Sequence, residues 1–322
     1  MNGCLNHCLK SSERKDKKGI GYRNNQQRRT MPQNPTVSVL ITVYNCGQYL
    51  LDAVHSVLQS TFTDFELIIV DDCSSDKSVE VAEECVAEDS RARLYVNEEN
   101  LGDYANRNRA ASYAYGKYLK YLDADDIIYP YSLQIMMDAM KRYTDAGLAL
   151  AGEKGPGDPP CPQKFTPREA YRSFFLGRNI LKSGPSDAII DRARFEQVGG
   201  FSGRQYIGDT ELWLKLAAQA PVVKLQPGLT WWRHHEEQQT ASELQNPEVF
   251  NTRHQLKLDT LNSSDSLLTE DEKQRARKKL NCQHSRCLWS MAVKQRKPGT
   301  AMKLFTESPL TWKDMMKGLV DR

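Results

Sequence analysis

Apolar residues along this chain follow two patterns in turn: short continuous runs, and runs in which they recur every three or four positions. Val37–Val43 is a nearly continuous run rich in β-branched residues, which is typical of a strand buried on both faces. After a polar break, Leu50, Val54 and Val57 recur with the period of a helix. The pattern therefore predicts a buried strand followed by an amphipathic helix.

The same strand–helix pair repeats through the first half of the chain. Further strands are predicted at 65–70, 94–96 and 118–122, and further helices at about 79–86, 104–115 and from 130. This alternation is typical of α/β proteins with a doubly wound, mainly parallel sheet and helices on both faces. In such sheets ligands bind beyond the carboxyl ends of the strands. We therefore expect functional residues where these strands end.

The second half of the chain is less regular. A loop is predicted for the Gly- and Pro-rich segment 152–167, and the elements after it are predicted as helices from Pro167 and Gly208 and strands at 188–190, 222–225 and 229–232. Beyond about Pro247 only helices are predicted. The chain is accordingly divided into a basic, disordered tail (1–35, with Met31 a candidate start), a sheet domain (36–240) and a helical, basic C-terminal extension (241–322).

Composition narrows the class of protein. Charged residues make up 26% of the chain and hydrophobic residues 39%, and the net charge of +3 is too small to indicate a nucleic acid partner. No apolar run is long enough to span a bilayer, and the basic N-terminus lacks the apolar core of a secretory signal. We expect a cytoplasmic protein. Because the C-terminal helices mix basic residues with Leu, Met and Trp, the inner membrane face is a candidate peripheral location.

Two kinds of site are not indicated. The eight cysteines form no disulfide-like framework, and two groups that combine Cys with His (Cys4-His7-Cys8 and Cys282-His284-Cys287) lack familiar zinc spacing, so reduced cysteines are expected. The turn after the first strand offers only Gly47, without a dinucleotide-binding or P-loop glycine motif. Dinucleotide and P-loop chemistry are therefore not expected.

Polar side chains gather where the predicted strands end: Tyr44, then Asp71 and Asp72, then Asp123 and Asp125. Alternate residues of a strand project on the same side, so Asp123 and Asp125 are predicted to share one face. Two like charges at that spacing repel unless a cation lies between them, and oxygen ligands favour Mg²⁺ or Mn²⁺. An acidic loop or a helix cap is the alternative interpretation of this pattern alone.

Four segments then carry motifs in a recognisable order. They are Val37 to Asn45, Val70-Asp71-Asp72-Cys73-Ser74-Ser75-Asp76, Asn100-Leu101-Gly102 with Ala105-Asn106-Arg107-Asn108, and Leu122-Asp123-Ala124-Asp125-Asp126. Together they resemble the inverting glycosyltransferases of family two over about residues 36–235. The resemblance implies the GT-A fold, in which a sheet domain binds a nucleotide-diphosphate sugar. A UDP-sugar is the expected donor.

On the donor side, the resemblance implies one set of contacts for the nucleoside and another for the diphosphate. Thr42, Tyr44 and Asp72 would hold the base and ribose, with the tyrosine ring available for stacking. Arg107 would face the phosphates, and Arg233 would flank the diphosphate.

The metal and the general base also follow from the resemblance. Asp123 and Asp125, joined by His235, would hold Mn²⁺ or Mg²⁺ bridging the diphosphate. Asp209 would take the proton of the acceptor hydroxyl, and Trp213 would flank the acceptor. Asp123 would thereby contact both the cation and the donor.

Structural alternatives remain open for each assignment. Asp71 and Asp72 could be turn carboxylates, Arg107 a solvated helix residue, and Asp209 a helix cap. Trp213 could belong to the core, and His235 to the surface.

Two departures from the family pattern bear on the site. The acid that usually precedes the catalytic aspartate is Gly208 here, which makes Glu211 the substitute base to test. Cys73 stands where the Asp-Asp-Gly-Ser turn usually has glycine, at a position that we expect to need a positive φ.

The sequence therefore favours a metal-dependent inverting glycosyltransferase that moves a sugar to a hydroxyl on a glycan or a lipid-linked acceptor, in polysaccharide or glycolipid assembly. The alternative is a catalytically inactive nucleotide-sugar-binding partner in a glycan-assembly complex, an idea that rests on Gly208.

Overall fold

The computed structural model describes residues 34–152, 155, 158–235 and 246–320. Residues 1–33 of the predicted disordered tail and the predicted boundary at 240/241 lie outside these ranges. The strands are β1 (Val37–Val43), β2 (Phe65–Asp71), β3 (Ala92–Val96), β4 (Tyr118–Asp123), β5 (Ile127–Ile128), β6 (Leu148–Ala151), β7 (Gln163–Phe165), β8 (Ala188–Asp191), β9 (Val222–Leu225) and β10 (Thr230–Trp231).

The helices follow the predicted order, with one short helix at Arg192–Gln197 that was not predicted. They are α1 (Gly47–Leu58), α2 (Ser78–Glu88), α3 (Asp103–Ser112), α4 (Ser132–Arg142), α5 (Pro167–Leu176), α6 (Arg192–Gln197), α7 (Gly208–Gln219), α8 (Glu248–Asn262), α9 (Glu270–Val293), α10 (Pro298–Glu307) and α11 (Trp312–Val320), with a 3₁₀ turn at Pro185–Asp187. Helices α5 and α9 begin with capping boxes, in which Thr166 pairs with Glu169 and Thr269 with Glu272. No helix of the described chain is long and apolar enough to cross a membrane.

One sheet of eight strands organises the fold, in the order β3-β2-β1-β4-β8-β6-β9-β7. Strands β1 to β4 pair in parallel, whereas β8 is antiparallel to both β4 and β6, and β7 is antiparallel to β9. Six of the eight strands therefore run in one direction, because β9 is parallel to β6. The predicted mainly parallel α/β sheet is confirmed.

Each face of the sheet has its own apolar core. Val39 and Ile41 of β1 pack with α1, α2 and α4 on one face, and Leu40 packs with α3, α5, α6, α7, α8 and α9 on the other. A third cluster joins α9 to α10 and α11 around Leu288 and Leu304. Helices therefore cover both faces, and the C-terminal helices extend the second layer.

Strand β6 was not predicted, and β7 falls within the segment predicted as a loop. β6 has only four residues, which show no alternation, and its partners β8 and β9 lie far along the chain. The local sequence therefore carries no pattern that distinguishes β6 from a buried turn.

Candidate active site

Neighbouring strand ends bring the predicted site residues to one edge of the sheet. Thr42 pairs in register with Asp123 across β1 and β4, and Val43 pairs with Asp71 across β1 and β2. Tyr44, just beyond β1, is 56% exposed, so its ring is free to stack against a ligand.

Cys46, which follows the end of β1, has a thiol whose pKa reports the negative charge at this edge of the sheet. Burial raises the pKa of this thiol to about 12, and the charges of Asp125, Asp76 and Asp123 add to the effect. The thiol is therefore affected by acids from two segments, Asp76 after β2 and Asp123 with Asp125 at the end of β4, and the positive charge of Arg233 opposes their effect.

A buried arginine reaches the last residue of β4. Arg107, on α3, donates from Nη2 to Asp123 Oδ1 at 2.7 Å and from Nε to Asp103 Oδ1 at 2.7 Å. Burial alone would lower the pKa of Arg107, but Asp103 and Asp123 raise it above its ordinary value. Nη1 is buried without a hydrogen-bond partner in the described chain. Arg107 is therefore a fixed cation with one unused donor.

Strand β4 ends at Asp123, two residues before the Asp125 that the predicted alternation requires it to reach. The backbone N–H of Asp126 donates to the carbonyl of Asp123 at 3.0 Å, so the chain turns at this point. The prediction that Asp123 and Asp125 project together as strand residues is wrong, because Asp125 lies in the turn. Asp125 Oδ2 instead contacts His235 Nε2 at 2.9 Å.

The segment after β10 contacts this turn. Arg233 donates from Nε to the carbonyl of Asp125 at 3.0 Å and from Nη2 to Asp52 at 2.9 Å, and its guanidinium lies 4.8 Å from the ring of Tyr49. The ring of Tyr49 is also 4.8 Å from that of His235. Tyr49 and Asp52, which sequence reasoning missed, are exposed or half-buried positions of α1 and have no distinctive signal.

Asp72 is occupied with the loop that precedes α3. Its carboxylate accepts hydrogen bonds from Asn97 Nδ2 at 2.8 Å and from the backbone N–H groups of Leu101 and Gly102, both at 2.9 Å. The side chain is 2% exposed. These contacts tie Asp72 to the loop before α3 and not to the turn that follows β2, and its predicted role at the nucleoside stays a prediction.

The turn after β2 has the backbone that its sequence suggested. Asp71 Oδ1 accepts from the N–H of Ser74 at 2.8 Å, as expected for a turn carboxylate. Cys73 has φ = 63°, so the expectation of a positive φ is confirmed at a residue that is not glycine.

A fully buried lysine is linked to the acidic turn through Ser186. Lys120, in the middle of β4, donates from Nζ to the carbonyl of Tyr121 at 2.5 Å and to the carbonyl of Ser186. Ser186 Oγ in turn accepts from the N–H of Asp123 at 3.0 Å. Burial lowers the pKa of Lys120 to about 8, although the charge of Asp187 opposes the shift. A lysine within an apolar strand was the available signal for this contact.

The predicted base lies at the start of α7. Asp209 Oδ1 accepts from the N–H of Thr210 at 2.6 Å, and burial raises the pKa of this carboxyl above its ordinary range. The positive charges of Arg107 and Arg253 oppose that shift, which places Asp209 near the same arginine that holds Asp123. A raised pKa makes a carboxylate a better proton acceptor.

Tyr104 explains why the acid before Asp209 is missing. A Cβ at Gly208 would lie 2.7 Å from two ring carbons of Tyr104, a contact that real side chains do not make. The tyrosine ring is 9% exposed and stacks with Phe201 at 5.2 Å. The aromatic ring therefore fills the space that a side chain at position 208 would need.

Trp213 and Glu211 are both engaged away from the predicted acceptor site. Trp213 is fully buried and donates from Nε1 to the carbonyl of Ser183 at 2.8 Å, so the prediction that it flanks the acceptor is wrong. It lies on the core side of α7. Glu211 is paired with Lys215 at 3.0 Å and accepts from Ser202 Oγ at 2.5 Å, which leaves it committed to its own helix and the preceding loop.

No three His, Cys, Asp or Glu side chains in the described ranges lie close enough to chelate a metal. Asp123 Oδ1 accepts from Arg107, and its predicted role as a metal ligand stays a prediction. Asp125 and His235 do meet, and His235 Nδ1 is buried without a partner in the described chain. Two protein ligands suit Mg²⁺ or Mn²⁺, which take much of their coordination from water and phosphate oxygens. The pair therefore fits such a cation.

Comparison with known proteins gives the family. The model of Glycosyl transferase family 2 matches residues 38–198, half of the chain. TuaG of Bacillus subtilis, a predicted teichuronic acid biosynthesis glycosyltransferase, is 33% identical over 150 residues, which are 44% of this chain and 60% of TuaG. The chain spans three fifths or less of the length of the first curated relatives that it matches.

Solved structures give the same fold. S. aureus TarS in complex with UDP-GlcNAc superposes with a TM-score of 0.65 at 20% identity, covering 84% of this chain and 79% of that one. The mannosyltransferase PcManGT from Pyrobaculum calidifontis, in complex with GDP-Man and Mn²⁺, has a TM-score of 0.56 at 14% identity, covering 89% and 86%. The chain belongs to glycosyltransferase family 2, and its sheet domain has the GT-A fold.

Proposed function

We propose that this protein is an inverting glycosyltransferase that transfers a sugar from a nucleotide-diphosphate donor to a hydroxyl group. The observation that carries the proposal is the meeting, at one edge of the sheet, of a buried arginine with Asp123 and of His235 with Asp125, beside a carboxyl of raised pKa on α7. Membership of the family supports it. Polysaccharide assembly is the proposed setting, in line with the teichuronic acid biosynthesis for which TuaG is named, and the cytoplasm is the proposed location.

The donor is proposed to bind across the ends of β1, β2 and β4. Tyr44 offers an exposed ring for the base, and Thr42 lies beside Asp123 at the rim. Arg107 has one buried donor without a partner, which suits a phosphate oxygen. A UDP-sugar is the proposed donor, since UDP-GlcNAc is bound in TarS, the fold neighbour.

Asp125 and His235 are proposed to hold Mn²⁺ or Mg²⁺ against the diphosphate. When bound, such a cation supplies electrostatic stabilisation of the negative charge that develops on the leaving diphosphate. Arg107 and Arg233 add fixed positive charge on the protein side, each already held in place by carboxylates. The PcManGT complex with Mn²⁺ supports the choice of metal.

Asp209 is proposed to accept the proton of the acceptor hydroxyl. The hydroxyl oxygen then attacks the anomeric carbon, and the bond to the diphosphate breaks on the opposite face, which inverts the configuration. A base on α7 and a diphosphate site on β4 come from different elements, as an in-line displacement requires. The acceptor is proposed to be a glycan or a lipid-linked glycan.

Release of nucleoside diphosphate from a panel of UDP-, GDP- and dTDP-sugars, with and without Mn²⁺, tests the proposal. Because the acceptor is unidentified, hydrolysis of the donor by water is the reaction to follow. We expect one donor class to be turned over, and Asp125→Ala to remove the dependence on Mn²⁺. Asp138→Ala, an exposed acid of α4, is the matched control and should leave the rate unchanged. Binding of a sugar nucleotide without any release would instead support the inactive partner.

A further inference from the structure

The last helix, α11, carries an apolar stripe that faces solvent. Trp312, Met316 and Leu319 are 60%, 58% and 51% exposed. At about 100° per residue, these positions fall within one narrow sector of the helix. We call them the α11 stripe.

The side of α11 that carries Met315 and Gly318 is packed against α9. A Cβ at Gly318 would lie 2.6 Å from Ser285 Cβ, so the two helices approach closely there. Trp289 Nε1 donates to the carbonyl of Met315 at 2.9 Å, and Met315 is 6% exposed. Because these contacts fix the rotation of α11 about its axis, the α11 stripe cannot turn inward to join the core.

Positive charge borders the α11 stripe. Lys313 and Lys317 are both exposed and follow Trp312 and Met316 by one position, which places them along one side of the stripe. The sequence from 273 to 320 holds twelve Lys and Arg residues against two acids, Glu307 and Asp314. An exposed apolar stripe beside lysines is the arrangement with which amphipathic helices enter an anionic lipid interface.

We propose that the α11 stripe binds an anionic phospholipid surface, with Trp312, Met316 and Leu319 inserted at the headgroup boundary and Lys313 and Lys317 against the lipid phosphates. Charge decides between possible occupants. A second copy would bring an equally basic segment against this one, whereas a phospholipid surface of negative charge complements it. The protein would thereby be held where a lipid-linked acceptor is found, although the proposal does not depend on the acceptor.

Co-sedimentation of the full chain with vesicles tests the proposal. We expect the chain to bind vesicles of phosphatidylcholine that contain about one third phosphatidylglycerol. Vesicles of phosphatidylcholine alone should bind little of it. The pair Lys313→Glu and Lys317→Glu should weaken binding at least about tenfold, because each basic residue near such a surface contributes about fivefold. Trp312→Ser with Met316→Ser should weaken it by about tenfold or more.

Matched control variants distinguish binding through the α11 stripe from nonspecific vesicle binding by other exposed aromatic or basic residues. Tyr115→Ser removes an aromatic ring that is 62% exposed elsewhere, and Lys117→Glu reverses an exposed lysine beside it. Both should bind anionic vesicles as the parent chain does. The proposal is overturned if the parent chain fails to bind anionic vesicles, if neutral vesicles bind equally well, or if the α11 variants bind normally. Light scattering that shows a dimer lost in the same variants, without vesicle binding, would assign the stripe to a second copy.

Discussion

The contact between Gly208 and Tyr104 gives a prediction that the structure makes quantitative. A methyl group at position 208 would lie 2.7 Å from two carbons of the Tyr104 ring and 2.9 Å from a third. The ring cannot move aside freely, because it is 9% exposed and stacked on Phe201. Overpacking of this kind costs about 1–3 kcal/mol. Replacing a helical glycine by alanine returns up to about 1 kcal/mol. Gly208→Ala should therefore lower the free energy of unfolding by about 1–2 kcal/mol.

A double-mutant cycle followed by urea unfolding measures this effect. In a Tyr104→Ala background the ring is absent, so Gly208→Ala should become neutral or stabilising, with a coupling energy of about 1–3 kcal/mol. Gly299→Ala is the matched control, because this glycine also lies in the first turn of a helix but has nothing within 4 Å of its Cβ position. It should stabilise the protein by up to about 1 kcal/mol. If Gly208→Ala costs the same in both backgrounds, the steric explanation for the missing acid is refuted.

Two other predictions concern stability. Cys73→Gly should raise the free energy of unfolding by about 0.5–1 kcal/mol in urea melts. Relief of the strain at φ = 63° is expected to exceed the cost of the extra backbone entropy that glycine has in the unfolded chain. No change would mean that the turn is unstrained. Burial lowers the pKa of His254 to about 4 and that of His284 to about 3, so the unfolded chain binds protons below about pH 6.5 that the folded chain does not. Unfolding free energies should fall as the pH drops from about 6.5 to 4, and His284→Gln should flatten that slope; an unchanged slope would remove the histidine pair as its cause.

The sequence predicted the fold well because its signals are local. Val37–Val43 is buried along nearly all of its length, and the helical spacing after it reports which side of α1 meets the sheet. The same signals place Asp123 at a strand end next to Thr42. The short strand β6 escaped because its pairing partners lie far along the chain.

The details of the site depended on contacts that no local pattern records. The chain turns after Asp123, where the N–H of Asp126 donates to the carbonyl of Asp123, and Asp125 therefore does not continue the strand. Trp213 shares a helix with Asp209, yet its ring points into the core. Gly208 was visible as a departure from the family pattern, but its cause, the ring of Tyr104, is more than a hundred positions away.

Asp209→Asn tests the role of Asp209 as the base, through its rate of nucleoside diphosphate release and its affinity for the same donor. The amide oxygen of asparagine can still accept from the N–H of Thr210, so the start of α7 should be preserved. General-base catalysis contributes a factor of about 10²–10⁴, so the rate should fall by that amount while calorimetry gives a dissociation constant close to that of the parent chain. Glu211→Gln should leave the rate nearly unchanged. A rate for Asp209→Asn within a few-fold of the parent would show that Asp209 is not the general base.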